Sequence, residues 1–455
     1  MLLLAPPGRG TFIRDNYCSF SSKADYYWPP IDLVVQSGIL RDTAAVTVLD
    51  ATAEHLDFER ALERAAAVNP GLTVFVTGTA SFKEDMQFVA RLKERTGTKL
   101  IGSGGNLTFW GDTIMRDHPV LDGILLEFIS RSVAGLVDGA EADLESLLLR
   151  DSNGAVKRYG IRKKKNFNCG IPLHSAFPQS RYKVPQARKH PFVRTLTSFG
   201  CSYQCDFCIE SRIPLVYRDQ DELFRELREL AAAGIPEIYF MDNVLTAWHD
   251  YFLRVCKELE SLGCFSWFGQ SRADNLNEEV VVAAKRAGCH FMMIGVETGS
   301  ELLLKAHRKG HGLEETLSAF SLLRKHGIES LAYFIVGLPG ETIDTMRATL
   351  ELALRLPCDY VSFTIATPDP GTPMRDAAIG SGELDSSATE FDCSRGSPIR
   401  LGTLTADQLA RFQKTAHRAF YLRPSYLARQ IARLRGPADL LSKSRTAYSL
   451  LFGGS

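Results

Sequence analysis

The chain has 455 residues, of which 45% are hydrophobic and 23% charged, and its 53 basic and 53 acidic side chains cancel to no net charge. Such a length buries roughly three quarters of the unfolded surface and, as a prior, makes about three domains. The composition excludes a disordered, collagenous or small secreted scaffold. The charge balance argues against a chain-wide grip on nucleic acid. No apolar run reaches the roughly 20 residues of a membrane span. Met1-Leu2-Leu3-Leu4-Ala5-Pro6-Pro7 has no basic stretch ahead of a short apolar run. It reads as a buried strand rather than a secretion signal, and the expected location is cytoplasmic.

Strands and helices alternate through the first 150 residues. Strands are predicted at 2–5, 45–49, 72–77, 99–102 and 123–128, and helices at 58–68 and 83–95. The run 72–77, Leu-Thr-Val-Phe-Val-Thr, is apolar on both faces, as a central parallel strand is. The pattern predicts a parallel sheet with helices on both sides, Rossmann-like or flavodoxin-like, with ligands at the carboxyl ends of its strands. The pattern breaks at 151–165, where Asn153-Gly154 signals a hairpin turn and Arg162-Lys163-Lys164-Lys165 reads as a solvated basic run. Residues 166–192 have no clear period and read as a connector.

Alternation returns with six predicted strands at 193–197, 237–240, 265–270, 291–296, 331–336 and 360–365. The gaps hold helices at 221–233, 250–262, 278–287, 314–326 and 342–354. This pattern predicts a partial or full β/α barrel with its chemistry at the strands' C-terminal ends. The final segment, 401–455, reads as helical, with nine Lys or Arg against two Asp. It is either a helix capping the barrel or a basic amphipathic helix for a membrane surface or an anionic ligand. The expected class is therefore α/β. A Rossmann-like domain spans 1–150, a linker 151–190, a partial TIM-type barrel 191–400 and a helical region 401–455.

Of the ten cysteines, three fall within eight residues, in Cys201-Ser202-Tyr203-Gln204-Cys205-Asp206-Phe207-Cys208. In a cytosolic chain such a cluster points to a metal or redox site. Three thiolates on one loop suit three irons of a [4Fe–4S] cube and leave the fourth iron open, whereas electron-transfer cubanes take four cysteines. A structural zinc site wants a second ligand pair, and none is present. A redox pair of Cys205 and Cys208 alone, or a fourth ligand from Cys169, are the other readings.

The spacing C-x3-C-x2-C with aromatic Phe207, on the loop after the first barrel strand, resembles the radical S-adenosylmethionine (SAM) superfamily over about 193–375. The resemblance implies a [4Fe–4S] cluster on Cys201, Cys205 and Cys208 that binds SAM and cleaves it reductively to a 5′-deoxyadenosyl radical. It also implies SAM contacts at successive strand ends. Asp242 and Asn243 stand where many members have Gly-Gly-Glu. Arg272 is placed for the SAM carboxylate and Glu297 for the ribose. Val336 and Gly337, in Ile-Val-Gly-Leu-Pro-Gly-Glu, match the adenine segment, and Pro370 lies in the Pro-x-Pro-Gly-Thr element. Taken alone, Arg272 or Glu297 also fits a structural ion pair.

A Rossmann-like domain ahead of such a barrel resembles the cobalamin-binding subgroup. That subgroup includes C- and P-methyltransferases, hopanoid-modifying enzymes and the anaerobic Mg-protoporphyrin ester cyclase. Arg14-Asp15-Asn16-Tyr17-Cys18, Tyr26-Tyr27-Trp28-Pro29-Pro30 and Phe420-Tyr421-Leu422-Arg423-Pro424 carry this likeness. The cobalt-ligating D-x-H-x-x-G is missing around Asp50 and His55, as it often is in the subgroup. Thr79, Ser81, Gly104 and Gly105, at strand ends, are the implied cobalamin contacts. The dinucleotide G-x-G-x-x-G fingerprint is absent.

The resemblance implies methylation of an unactivated carbon through a 5′-deoxyadenosyl radical and methylcobalamin, in a dry cleft that Tyr17, Tyr26, Tyr27 and Trp28 could line. The alternatives are a cobalamin-dependent cyclase, ring-contraction or C–C bond-forming enzyme, and a non-catalytic cobalamin or Fe–S sensor. The implied partners are a small or lipid-like substrate and an external electron donor such as flavodoxin or ferredoxin. Peripheral membrane contact through the basic C-terminal helix is a further expectation. No side chain is singled out for the catalytic step itself.

Overall fold

The computed structural model describes residues 1–15, 18–22, 26–140, 142, 144–162, 165–385 and 404–432. The N-terminal part runs β1 (Leu2–Ala5), β2 (Phe12–Asp15), β3 (Cys18–Ser21), α1 (Ile31–Leu40), β4 (Thr47–Asp50), α2 (Phe58–Ala67) and β5 (Leu72–Val76). It continues with α3 (Phe82–Thr96), β6 (Lys99–Ser103), α4 (Gly105–Asp117), β7 (Gly123–Leu125), α5 (Ser132–Asp138), β8 (Leu147–Arg150) and β9 (Val156–Tyr159). Seven of these strands form one sheet in the order β4-β1-β5-β6-β7-β8-β9. The first five are parallel, and β8 and β9 add antiparallel strands. This is the flavodoxin-like order, whose ligand crevice lies beside the first strand. The linker expected from residue 151 starts later, because the turn at Asn153-Gly154 folds β9 back onto β8.

The second part runs β10 (Asn166–Phe167), β11 (Phe192–Thr195), β12 (Ser198–Phe199), β13 (Val216–Arg218), α6 (Gln220–Ala232), β14 (Glu237–Phe240) and α7 (His249–Leu262). Next come β15 (Ser266–Ser271), α8 (Glu278–Arg286), β16 (Cys289–Glu297), α9 (Glu301–Ala306), α10 (Leu313–Lys325), β17 (Glu329–Val336), α11 (Ile343–Arg355) and β18 (Tyr360–Ile365). The chain then forms α12 (Pro373–Gly380), α13 (Ala406–Tyr421) and α14 (Pro424–Ala432). Six parallel strands lie in sequential order, β11-β14-β15-β16-β17-β18, and the sheet is open, an incomplete barrel. Asp219, Asn277 and Thr342 cap α6, α8 and α11 by accepting from backbone N–H groups, which sets where each helix begins.

The two sheets share a core. Phe192, Tyr239, Phe268, Phe291, Met293 and Leu331 on the concave face of the barrel sheet belong to the same buried cluster as Leu3, Ile31, Val35 and Val74. Helix α1 lies at that junction, and all ten of its residues are buried. Its polar side chains find internal partners: Gln36 donates to the carbonyls of Phe128 and Ser130 at 2.6 and 3.0 Å. At Gly38 a Cβ would fall 2.4 Å from the Cys169 carbonyl, so α1 meets the connector backbone to backbone. The hairpin β2–β3 and the helices α1, α4 and α5 were not anticipated from the sequence.

The outer edge of the barrel sheet is sealed by side chains. From α13, Gln413 donates to the Phe363 carbonyl at 2.6 Å, and the Tyr421 hydroxyl bonds both the N–H and the carbonyl of Val361, at 3.1 and 2.7 Å. The C-terminal helix thus caps the barrel by satisfying backbone groups that an edge strand leaves open. The basic residues 433–455 and the barrel boundary at 400 lie outside the described residues. Among the described residues no helix is long and apolar enough to cross a membrane.

Candidate active site at the cysteine loop

The cysteine loop leaves the barrel under tight backbone control. Gly200 sits at φ +81°, and a Cβ there would fall 2.4 Å from the Pro214 carbonyl, so only glycine makes this turn. Cys201 N then donates to the Ile213 carbonyl at 3.0 Å. Asp242, just past β14, is fully buried and faces the chain. It accepts from Thr197 N at 3.0 Å and from the hydroxyls of Thr197 and Ser198 at 2.6 Å each. Burial raises its carboxyl above the usual range, against the pull of those hydroxyls. Its carboxylate therefore holds the approach to the loop. Asn243 donates to Glu210 at 2.5 Å and to the Gly200 carbonyl at 3.4 Å. Glu210 is itself buried, and burial pushes its carboxyl far up.

The three cysteines carry free thiols; Cys205 is buried, and Cys201 and Cys208 are half-buried. Burial pushes all three thiols up, while Lys309 and Arg272 draw that of Cys205 the other way. Iron would reverse this by taking the thiolate form. Among the described residues no three His, Cys, Asp or Glu side chains gather closely enough for a single ion. Three soft donors on one short loop fit an Fe–S cluster with an open iron. Cys169 is fully buried, its sulfur 3.6 Å from Glu222.

Arg272, at the end of β15, forks onto Asp274 with two bonds of 3.0 Å and stacks at 3.6 Å over the ring of Tyr203, inside the cysteine motif. Glu297, at the end of β16, sits at φ +70°, beside a break in the register with β17. A non-glycine residue in that region is strained, and such strain gathers at functional sites. The turned carboxylate pairs with buried Lys309 at 2.5 Å. Both residues thus have the ion-pair partners that the sequence alone left open.

Val336 is buried at the end of β17. Gly337 follows at φ +86°, and its N–H donates to the Glu341 carboxylate. Burial pushes the Glu341 carboxyl to about 7. His307 ties this turn to the cysteine loop: Nδ1 lies 2.9 Å from Asp206 and Nε2 2.9 Å from the Pro339 carbonyl. Although burial opposes it, these two acceptors raise the imidazole's pKa. Pro370 is buried beside Gly371, where a Cβ would fall 2.3 Å from Phe109 of α4. The Arg375 guanidinium lies 5.0 Å over Trp110 of the same helix. The strand-end loops of the barrel therefore dock on the helix that Gly105 begins.

At the crevice of the first sheet the structure places a residue that sequence reasoning gave no role, Arg14. It is buried and bonds Asp85 at 2.8 and 3.0 Å, Thr52 at 2.8 Å and Ser81 at 3.1 Å. Ser81 is buried too and also donates to Asp85 at 2.6 Å, so its hydroxyl belongs to this internal network. Thr79 is half-buried in the neighbouring turn. Gly104, at φ +142°, has no room for a Cβ because the Thr77 carbonyl lies 2.0 Å from that position. Its glycine requirement thus comes from Thr77, just past β5. His55 is exposed in a turn at φ +53°. Tyr27 is core, bonded to Asp50 at 3.2 Å, while Tyr17 lies outside the described residues. Lys309, Tyr203, Asp274 and His307 also went unread. Their only signals were proximity to motif residues and the basic run Arg308-Lys309-Gly310-His311.

Residues 195–353 match the model of the radical SAM superfamily. An uncharacterized methyltransferase of Pyrococcus horikoshii is 28% identical over 417 residues, 89% of this chain and 90% of that protein. The anaerobic magnesium-protoporphyrin IX monomethyl ester cyclase of Cereibacter sphaeroides is 23% identical over 91% of this chain and 70% of its own. Among solved structures, the radical SAM methyltransferase TsrM of Kitasatospora setae, with cobalamin and a [4Fe–4S] cluster bound, superposes with a TM-score of 0.66 at 19% identity. It covers 85% of this chain and 76% of that one.

Proposed function

From the premise that this chain is a radical SAM enzyme through its domain over residues 195–353, we propose that it is cobalamin-dependent and methylates an unactivated carbon. One observation carries this reading: the likeness to a cobalamin- and cluster-bearing methyltransferase covers 85% of the chain and so takes in both sheets. The docking of Phe109 and Trp110 on Gly371 and Arg375, which brings the two sets of strand ends together, supports it. When bound, the cluster supplies the electron that cleaves SAM, and cobalamin supplies the methyl group.

The chain's own residues hold and enclose these groups. Cys201, Cys205 and Cys208 ligate the cluster. Glu297 faces the ribose of SAM, and Val336, Gly337 and Pro370 line the adenine side. Thr79 and the Gly104–Gly105 turn face the cobalamin. Asp242 and Asn243 act one step back, by fixing the cysteine loop. The loops around Gly371 that dock on Phe109 and Trp110 would shield the bound groups from water. The electron comes from an external donor of the flavodoxin or ferredoxin class.

The test is cofactor and product analysis on protein made with cobalamin and purified without oxygen. About four irons and one cobalt per chain, with S-adenosylhomocysteine formed alongside 5′-deoxyadenosine, is the expected result. Iron without cobalt overturns the cobalamin assignment. The likeness to the ester cyclase over 91% of the chain favours a second reading, a cobalamin-dependent cyclisation. In that case 5′-deoxyadenosine appears without S-adenosylhomocysteine. Cys205→Ala abolishes SAM cleavage under either reading, whereas Cys169→Ala keeps the full iron content.

A further inference from the structure

Arg272 is held more firmly than a ligand-binding arginine needs to be. The residue as a whole is only 4% exposed. Nε and Nη2 are engaged by the Asp274 carboxylate at 3.0 Å each, and Nη2 also donates to the Lys309 carbonyl at 2.6 Å. The ring of Tyr203 lies 3.6 Å beneath its plane, and the Tyr203 hydroxyl is anchored on Asn275 at 2.9 Å. Two edges and one face of the group are thus committed. The remaining nitrogen, Nη1, lies 3.8 Å from the sulfur of Cys205, within range of an N–H···S hydrogen bond.

We propose that Arg272 sets the reduction potential of the cluster by donating a hydrogen bond from Nη1 to the Cys205 thiolate. This rests on the cluster assignment above but assigns Arg272 a role other than SAM recognition. Reduction adds one electron from the external donor and breaks no bond. The reduced cluster is more negative by one charge, most of it shared between iron and sulfur. A donor and a positive charge at one ligand sulfur therefore stabilise the reduced form more than the oxidised form, and hydrogen bonds to cluster sulfurs are among the determinants of potential. Asp274 and Tyr203 are positioning residues that keep Nη1 aimed. Buried surroundings strengthen the interaction, because there is little water to screen it.

The experiment is a redox titration of the full-length protein, reconstituted without oxygen with iron and sulfide and without SAM. The paramagnetic resonance signal of the reduced cluster is followed against mediator dyes. Wild type, Arg272→Gln, Arg272→Lys and Asp274→Asn are compared, each first assayed for iron and sulfide. At the potential that half-reduces wild type, the ratio of reduced to oxidised cluster should fall about tenfold in Arg272→Gln, about 59 mV for a one-electron couple. Arg272→Lys keeps the charge but not the planar fork, and should fall in the same direction by less. A fully loaded Arg272→Gln that titrates with wild type overturns the proposal. An Arg272→Lys that titrates with wild type overturns the hydrogen bond in favour of charge alone. If Arg272→Gln fails to load, Asp274→Asn decides: loss of the carboxylate charge by itself raises the ratio, so a lowered ratio supports the aimed bond, and an unchanged or raised one overturns it. A wild type without iron and sulfide is detected beforehand and counts against the cluster assignment itself.

Discussion

The carboxylate of Asp15, in the hairpin over the first sheet, receives both terminal nitrogens of Arg194, on the first strand of the barrel sheet, at 2.8 and 3.0 Å. Both side chains are essentially out of solvent, and Arg194 also lies 5.0 Å over the ring of Tyr239. Breaking a buried pair from one side strands the other charge, which costs about 3–5 kcal/mol. Arg194→Met should therefore lower the unfolding free energy obtained from urea titration by that amount. Asp15→Asn combined with Arg194→Met should recover part of it, because no unpaired charge remains.

Asp242 tests whether a motif position binds SAM or holds the loop. Its oxygens are occupied by Thr197 and Ser198. Asp242→Ala leaves those buried donors without an acceptor, at about 1–3 kcal/mol for each one left unsatisfied. The expected outcome is a lower thermal midpoint and poorer iron loading. The affinity of the molecules that do load for SAM should stay within about twofold of wild type, a small free-energy change. A selective loss of SAM affinity at full loading would contradict the positioning role.

Asp32 is fully buried in α1, with one oxygen accepting from Ser103 at 2.8 Å and the other without a hydrogen-bond partner among the described residues. Burial raises its carboxyl from 3.8 to about 7. Between those two values the folded chain binds more protons than the unfolded one, so stability falls as pH rises through that window and then levels off. A shift of that size corresponds to at most about 4 kcal/mol. Asp32→Asn should flatten this part of the profile of unfolding free energy against pH and stabilise the protein at pH 8. An unchanged slope would show that Asp32 titrates normally.

Tyr421 seals the free edge of the barrel sheet through Val361. Tyr421→Phe keeps the ring and removes the hydroxyl, leaving two backbone groups with no side-chain partner, at about 1–3 kcal/mol if both stay buried. Faster amide exchange at Val361, with little change in the strands away from this edge, is the expected signature.

Much of the fold was legible because it is periodic. The predicted strands at 237–240 and 360–365 coincide with β14 and β18, and the five barrel helices fall within a residue or so of their expected ends. The cysteine motif was legible because its spacing is local and its chemistry narrow. Helix α1 was hidden because it is buried all round, which removes the amphipathic signal. The hairpin β2–β3 was hidden because its segments, Phe-Ile-Arg-Asp and Cys-Ser-Phe-Ser, mix polar and charged residues into what would otherwise be an apolar run.

Local order alone determined the alternation of strands and helices, the motif around Gly337 and the set of three thiols. Tertiary structure alone decided the partners of the charged residues. Asp15 meets Arg194 across 179 positions, Arg272 meets Cys205 across 67, and Ser81 is drawn into the Arg14–Asp85 network. Periodicity states which face a side chain occupies. A crossover connection brings distant faces together, and the need to satisfy every buried charge then selects which of them pair.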